Sequence, residues 1–323
     1  MLVMLYWYFI FNCGIISNIK EVLTMYNSKI KSIIAVLIMY IFTFFVSVLL
    51  YPLIPIEVNN AEDILFKLLL LGVISTVIIF GMSLIFKNSS IYDPYWSVSP
   101  VVISIAFIKL CGNINAWSVF AVVLISVWGL RLTLNWAYKF NNLKHQDWRY
   151  TELKEKHPKT YFLINLFGIH LVPTIVVALA LIPALNFIGD VGKAGFEPTP
   201  MTLFAYLFTL VAILIETVAD IQLIMFKKIA SNHGLVMTHG LWKNSRHPNY
   251  FGEIAFWFGL FLMHYSLKNA NPLLVFCPLV MFLLFVFVSI PMMDKRQLET
   301  KASYKEYMES TNPLLPIFPP KQK

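Results

Sequence analysis

The chain has 323 residues, 58% of them apolar and only 13% charged, and its mean hydropathy is +0.70. A soluble domain carries about a quarter charged residues, so this composition excludes an ordinary water-soluble globule. The formal net charge of +8 does not point to nucleic acid, because the basic residues gather in the loops between apolar runs and so report membrane topology.

Apolar stretches of about twenty residues recur from end to end, the length that crosses a hydrocarbon core of roughly 30 Å. They are continuous rather than alternating, which predicts an all-α polytopic bundle and not a barrel. Residues 1–24 are apolar but lack a basic n-region and a small-residue cleavage site. With Met25 opening "MYNSKIKSII", they read as an uncertain extension, either an interfacial helix or an over-extended start. One integral membrane domain then covers 25–323.

In that domain about eight spans (seven to nine) are expected, near 32–54, 64–86, 97–112, 115–138, 161–188, 202–226, 250–267 and 272–292. The third is short. The fifth contains Pro173 and Pro183 and is expected to kink or break.

Charge checks the threading independently. Lys29 and Lys31 precede the first span, and the loop after the fourth carries Lys139, Lys144, Arg149, Lys154, Lys156 and Lys159. Lys227, Lys228, Lys243 and Arg246 follow the sixth, and the tail is basic again. The opposite loops hold Glu57, Glu62 and Asp63, or single lysines. The alternation predicts both termini in the cytoplasm. Cys13, Cys111 and Cys277 are isolated, and His233, His239 and His247 lack ligand spacing, so neither disulfide nor metal is expected.

Charges inside a span are costly and mark function or pairing. Glu216 and Asp220 lie one turn apart on one face of the sixth span, and would repel without a cation, a ligand donor or a proton between them. A neighbouring arginine in a structural ion pair would serve equally. Arg131, late in the fourth span, could be functional or could snorkel. Asp93 before Pro94 could act chemically or cap a helix. Glu253 could bind a ligand or favour the first turn of its helix.

The densest polar stretch is "GLWKNSRHPNYFGE", residues 240–253, which concentrates Arg246, His247, Asn249, Tyr250 and Glu253 ahead of an apolar run. Backbone N–H groups at a helix start, with Lys243 and Arg246 beside them, suit a phosphate. No dinucleotide fingerprint or P-loop is present, so a nucleotide would bind within a helical bundle.

"GLWKNSRHPNYFGE" and the tail "DKRQLETKASYKEYMESTNPLLP" resemble the C-terminal domain of the steroid 5α-reductase family. "DPYWS" and "WGLRL" narrow the similarity to a bacterial, uncharacterised branch (domain of unknown function 1295-like). It covers roughly 90–317, with 202–317 as the cofactor-binding part. The resemblance implies a multi-pass enzyme of the bacterial cytoplasmic membrane, taking NADPH from the cytoplasm and a steroid-like or other lipid from the bilayer, without metal or nucleic acid. It implies that Arg131, Glu216, Asp220, Lys227, Arg246, His247, Asn249, Tyr250, Glu253, Arg296, Tyr304 and Tyr307 hold the cofactor. Asp93 corresponds to a substrate-binding glutamate, one methylene shorter. The partner tyrosine falls on Trp128, whose indole donates a hydrogen bond but supplies no proton, so Tyr95 stands in as its substitute.

The implied reaction is reduction of an enone of the 3-oxo-5α-steroid 4-dehydrogenase type. Hydride goes to the β-carbon, a donor stabilises the enolate oxygen, and a proton reaches the α-carbon. The same tail also resembles membrane methyltransferases of isoprenylcysteine or phospholipid amines that use S-adenosylmethionine. Those usually carry adjacent glutamates where this chain reads Met293-Asp294-Lys295. A non-enzymatic lipid binder or transporter is the third class. The crowding of polar residues at one membrane face and the lack of an inverted repeat count against it.

Overall fold

The computed structural model describes residues 28–112, 114–191 and 196–316. The extension at 1–24 lies outside the described residues. The described chain is helical: α1 (Lys29–Leu50), α2 (Ala61–Ile85), α3 (Tyr95–Cys111), α4 (Ala116–Lys139), α5 (Trp148–Lys156), α6 (Val172–Val191), α7 (Pro200–Lys228), α8 (Pro248–Tyr265), α9 (Phe276–Leu284), α10 (Ile290–Thr300) and α11 (Tyr304–Ser310). No strand occurs among the described residues.

Helix starts follow local chemistry. The Ser28 hydroxyl accepts from the Lys31 N–H to begin α1. Thr199 and Thr202 form a reciprocal capping box around Pro200 at the head of α7. The break expected at the fifth span is a π-helical segment, Ile164–Leu171, and Pro183 stays inside α6. A second π-helical segment, Phe285–Ser289, ends just before Pro291. In both places the proline ring crowds the carbonyl four residues earlier, and a wider turn upstream absorbs the crowding.

Among the described residues, seven helical stretches are long and apolar enough to cross a membrane, so the chain is a multi-pass integral membrane protein. The helix expected at 250–267 forms as α8 but is not among those seven. Twelve of its 18 residues are buried, among them Glu253 and His264. A helix wrapped by protein needs no lipid-facing surface, so its hydropathy can fall.

The chain divides into two compact units: Met1–Pro55, Val73–Trp96 and Thr133–Pro173 form one, and Ile56–Gly72, Ser97–Leu132 and Thr174–Lys323 the other. The first is built on Ala35, Val36 and Met39 of α1 packed with Ile79, Met82, Tyr92, Phe140 and Leu143. Asn88 ties it by donating to the Leu143 carbonyl at 2.8 Å.

The second is organised by the tight pairing of α7 with α8. A Cβ at Gly252 would lie 2.7 Å from Glu216 Cβ and 2.8 Å from the Ala212 carbonyl oxygen, and one at Gly259 would lie 2.3 Å from Thr209 Oγ1. These glycines, two turns apart on one face, let the backbones close and bring the α7 carboxylates against α8.

Candidate functional site

In the second unit one guanidinium bridges two carboxyl groups. Arg131 on α4 donates from Nη2 to Glu216 Oε1 and from Nη1 to Asp220 Oδ2, the latter at 2.9 Å. The repulsion expected between the two α7 acids is therefore relieved by a cation 85 residues away in sequence. Asn249 Nδ2 donates to Asp220 Oδ1 at a long 3.4 Å. Glu253, one turn further along α8, lies within electrostatic reach of Glu216.

Glu253 is gripped by two indoles. Trp128 Nε1–H donates to Oε2 at 2.9 Å, and Trp257 Nε1–H donates to Oε1 at 2.8 Å. Trp128 is fully buried and stacks on Phe256 with centroids 4.7 Å apart. Its single donor is spent on the carboxyl.

Three buried polar atoms of this cluster have no partner among the described residues: Arg131 Nε, Glu216 Oε2 and Asn249 Oδ1. Buried polar atoms are satisfied in roughly nine cases of ten, so three in one cluster stand out.

Arg246 and His247 do a different job. Arg246 donates from Nη1 to the carbonyls of Met308 (2.7 Å) and Thr311 (3.1 Å), and from Nη2 to Asp294 Oδ2 at 2.9 Å. His247 Nε2 lies 2.8 Å from Asp294 Oδ1, which also accepts from the Tyr304 hydroxyl. The Tyr307 hydroxyl donates to the carbonyls of Trp242 and Ser245. The main chain joins in, with Arg246 N–H donating to the Asn312 carbonyl at 2.8 Å. These residues latch α10 and α11 onto the loop that starts α8. Tyr250 stacks on His247, with centroids 5.1 Å apart, and packs against Phe285. Burial holds both tail phenols above their ordinary pKa, and Tyr304's bond to Asp294 raises it further.

The loop itself is fixed against α7. Trp242 Nε1–H donates to the Ala219 carbonyl at 3.0 Å, and Leu241 N–H to Gln222 Oε1 at 3.0 Å. Gly240 has φ +61°, and a Cβ there would fall 2.4 Å from Gln222 Nε2. Only glycine fits both demands.

Two cations lie at the edge of the same unit. Burial lowers the pKa of Lys301, and the positive charge of Lys227 lowers it further. The two ammonium groups lie within electrostatic reach of each other. Arg296 is half-exposed, 3.9 Å from Glu299.

The family model described as "Protein of unknown function (DUF1295)" matches residues 79–311. The chain belongs to this family. The DUF1295 chain is also 25% identical over 220 residues to "Uncharacterized protein C594.04c" of Schizosaccharomyces pombe. That match covers 60% of this chain and 62% of the relative, so the chain spans about three-fifths of that protein's length. No solved structure matches it.

The remaining expected site residues of the DUF1295 chain lie in the first unit. Asp93 accepts from the Tyr150 hydroxyl. Tyr95 is buried edge-on against Tyr40 at 6.0 Å and tilted on Tyr92. Burial and the Asp93 carboxyl push the Tyr150 phenol well above its usual pKa, so it keeps its proton at neutral pH. Beside it, Asp147 holds Arg149 through Nε at 2.7 Å.

Sequence reasoning missed Tyr150, Trp257, Asp294 and Lys301. Asp294 had a signal, because it opens the tail motif that carries the family resemblance. Trp257 stands one turn after Glu253. Tyr150 is 57 residues from its partner, and nothing in periodicity links them.

Proposed function

We propose that the protein is a membrane-embedded, NADPH-dependent reductase of an activated carbon–carbon double bond in a lipid, as the steroid 5α-reductase resemblance implies. The observation that carries this reading is the unsatisfied trio of Arg131 Nε, Glu216 Oε2 and Asn249 Oδ1. A nicotinamide riboside offers the complement. Its ribose hydroxyls can donate to Glu216, its carboxamide NH₂ to Asn249 Oδ1, and its carboxamide oxygen can accept from Arg131 Nε–H. The Lys227–Lys301 pair suits its phosphates. Alternating loop charge supports a cytoplasmic position for this end of the second unit, the side on which the cofactor is found.

When bound, NADPH supplies a hydride to the double bond. The protein positions and desolvates. Arg131, clamped by Glu216 and Asp220, is a fixed donor, and the indoles of Trp128 and Trp257 hold Glu253 in one orientation. The tail latch fixes the loop that leads into Asn249. Rigid donors and acceptors of this kind lower the reorganisation needed on binding.

One observation favours methyl transfer instead. Glu216 and Asp220 share one guanidinium and Glu253 lies close to Glu216, whereas the sulfonium and amine of S-adenosylmethionine are cationic. That molecule has no phosphate, so the lysine pair separates the two. Thermal stabilisation by NADPH that falls in a Lys227→Gln/Lys301→Gln variant supports the reductase. Stabilisation by S-adenosylmethionine that is indifferent to that variant would establish the methyltransferase.

A further inference from the structure

The first unit carries positive charge that its own ion pairs do not neutralise. From the end of α4 to the helical stretch Tyr161–Val191 the chain holds six lysines and arginines against three acids. Asp147 is held by Arg149 at 2.7 Å, and Glu152 pairs with Lys156. That leaves Lys139, Lys144, Lys154 and Lys159 against Glu155 alone, all five exposed and without an ion-pair partner among the described residues. Alternating loop charge supports a cytoplasmic position for this face, and the cytoplasmic leaflet of a membrane is negatively charged.

Two of these lysines stand where the apolar stretch begins. Lys154 Nζ lies 5.9 Å from the centroid of the Tyr161 ring, and Lys159 precedes that tyrosine by two residues. Immediately beyond it Phe162 and Leu163 are each 54% exposed, and so is Phe167, about a turn further on. Phe162 is anchored, because its ring packs edge-on against buried Phe80 of α2 with centroids 5.4 Å apart. Within a few residues the surface passes from unpaired ammonium groups, through a tyrosine of the kind that sits at membrane–water interfaces, to an apolar wall. A ligand that matches all three levels has an anionic head with hydrocarbon beneath it. A zwitterionic head brings its own cation, which would find only Glu155 here. A soluble acidic protein would answer the lysines and leave the apolar wall bare.

We propose that the head of the Tyr161 stretch is a binding site for an anionic phospholipid of the cytoplasmic leaflet. The phosphodiester lies against Lys154 and Lys159, and an acyl chain runs along Phe162, Leu163 and Phe167. Lys139 and Lys144 add a longer-range attraction that salt screens. The site is built from the first unit alone and does not depend on the nucleotide reading.

Hydrogen exchange at residues 148–163 of the full chain tests this, followed by mass spectrometry in nanodiscs of phosphatidylcholine with and without phosphatidylglycerol. Phosphatidylglycerol should slow exchange severalfold, and high salt should reverse the effect. Lys154→Gln/Lys159→Gln should abolish the slowing. Lys295→Gln/Lys305→Gln, which removes the same charge from the tail, should leave it intact. Glycerol phosphate added to phosphatidylcholine discs supplies the headgroup without acyl chains and should have no effect. Equal exchange in the two lipid mixtures, slowing that survives Lys154→Gln/Lys159→Gln, equal loss in the tail variant, or the same slowing by glycerol phosphate alone would overturn the proposal.

Discussion

The indole of Trp128 and the carboxyl of Glu253 meet at 2.9 Å in a fully buried contact between α4 and α8. The chain uses tryptophan here as a neutral clamp, one donor aimed at one oxygen, with Trp257 on the other. Hydrogen bonds to a carboxyl are worth about 1.5–3 kcal/mol, and a buried acceptor left bare loses that amount. Trp128→Phe keeps the stack on Phe256 and removes only the donor. It should destabilise the protein by about 2 kcal/mol, read as a lowered Tm in detergent. A Tm within error of wild type would mean that the clamp does not hold Glu253.

Arg131 bridges Glu216 and Asp220. Taking one partner from a buried ion pair costs about 3–5 kcal/mol, because the charge left behind is uncompensated. Arg131→Leu should therefore unfold or strongly destabilise the protein. The triple variant Arg131→Leu/Glu216→Gln/Asp220→Asn should recover most of the loss. Without that recovery, the arginine would matter for something other than charge. Urea unfolding of the three proteins decides it.

Gly252 lets α7 and α8 touch. An alanine there would put its Cβ 2.8 Å from the Ala212 carbonyl and the Glu216 backbone N, and backbone cannot step aside as a side-chain tip can. Overpacking of this kind costs about 1–3 kcal/mol. Gly252→Ala should lower Tm and weaken nucleotide binding together, since it displaces Glu216. Loss of stability with full nucleotide affinity would separate the helix contact from the site.

The tail latch should be sensitive to alkali. An unfolded tyrosine ionises near about pH 10, whereas burial holds Tyr304 and Tyr307 above that value in the fold. A raised pKa in the fold means their contribution is whole below about pH 10 and is lost as pH rises from there through the folded values. Hydrogen exchange at residues 301–316 should accelerate beyond its intrinsic pH dependence above about pH 10. That excess should shrink in Tyr304→Phe/Tyr307→Phe. An excess of equal size in both proteins would assign it to another group.

The helices were legible because membrane crossing demands long apolar runs, and every expected span coincides with a helix at its place. The spacing of Glu216 and Asp220 also announced a need for compensation. What supplies it could not be read, since Arg131 reaches them across 85 and 89 residues. The same limit hid the partnership of Tyr150 with Asp93. Arg246 reads as a phosphate ligand; its two terminal nitrogens are bonded to the tail and Asp294, and its Nε has no partner among the described residues.

The most direct test of a nucleotide site is thermal unfolding of the intact protein in nanodiscs with NADPH or S-adenosylmethionine. At a hundred times its Kd, a ligand that binds only the fold stabilises it by about 2.7 kcal/mol. NADPH should raise Tm by several degrees in the wild-type protein and by much less in Asn249→Ala, whose Oδ1 is one of the three unsatisfied atoms. S-adenosylmethionine should leave Tm unchanged. A shift with S-adenosylmethionine alone, or no shift with NADPH at millimolar concentration, would contradict the reductase assignment.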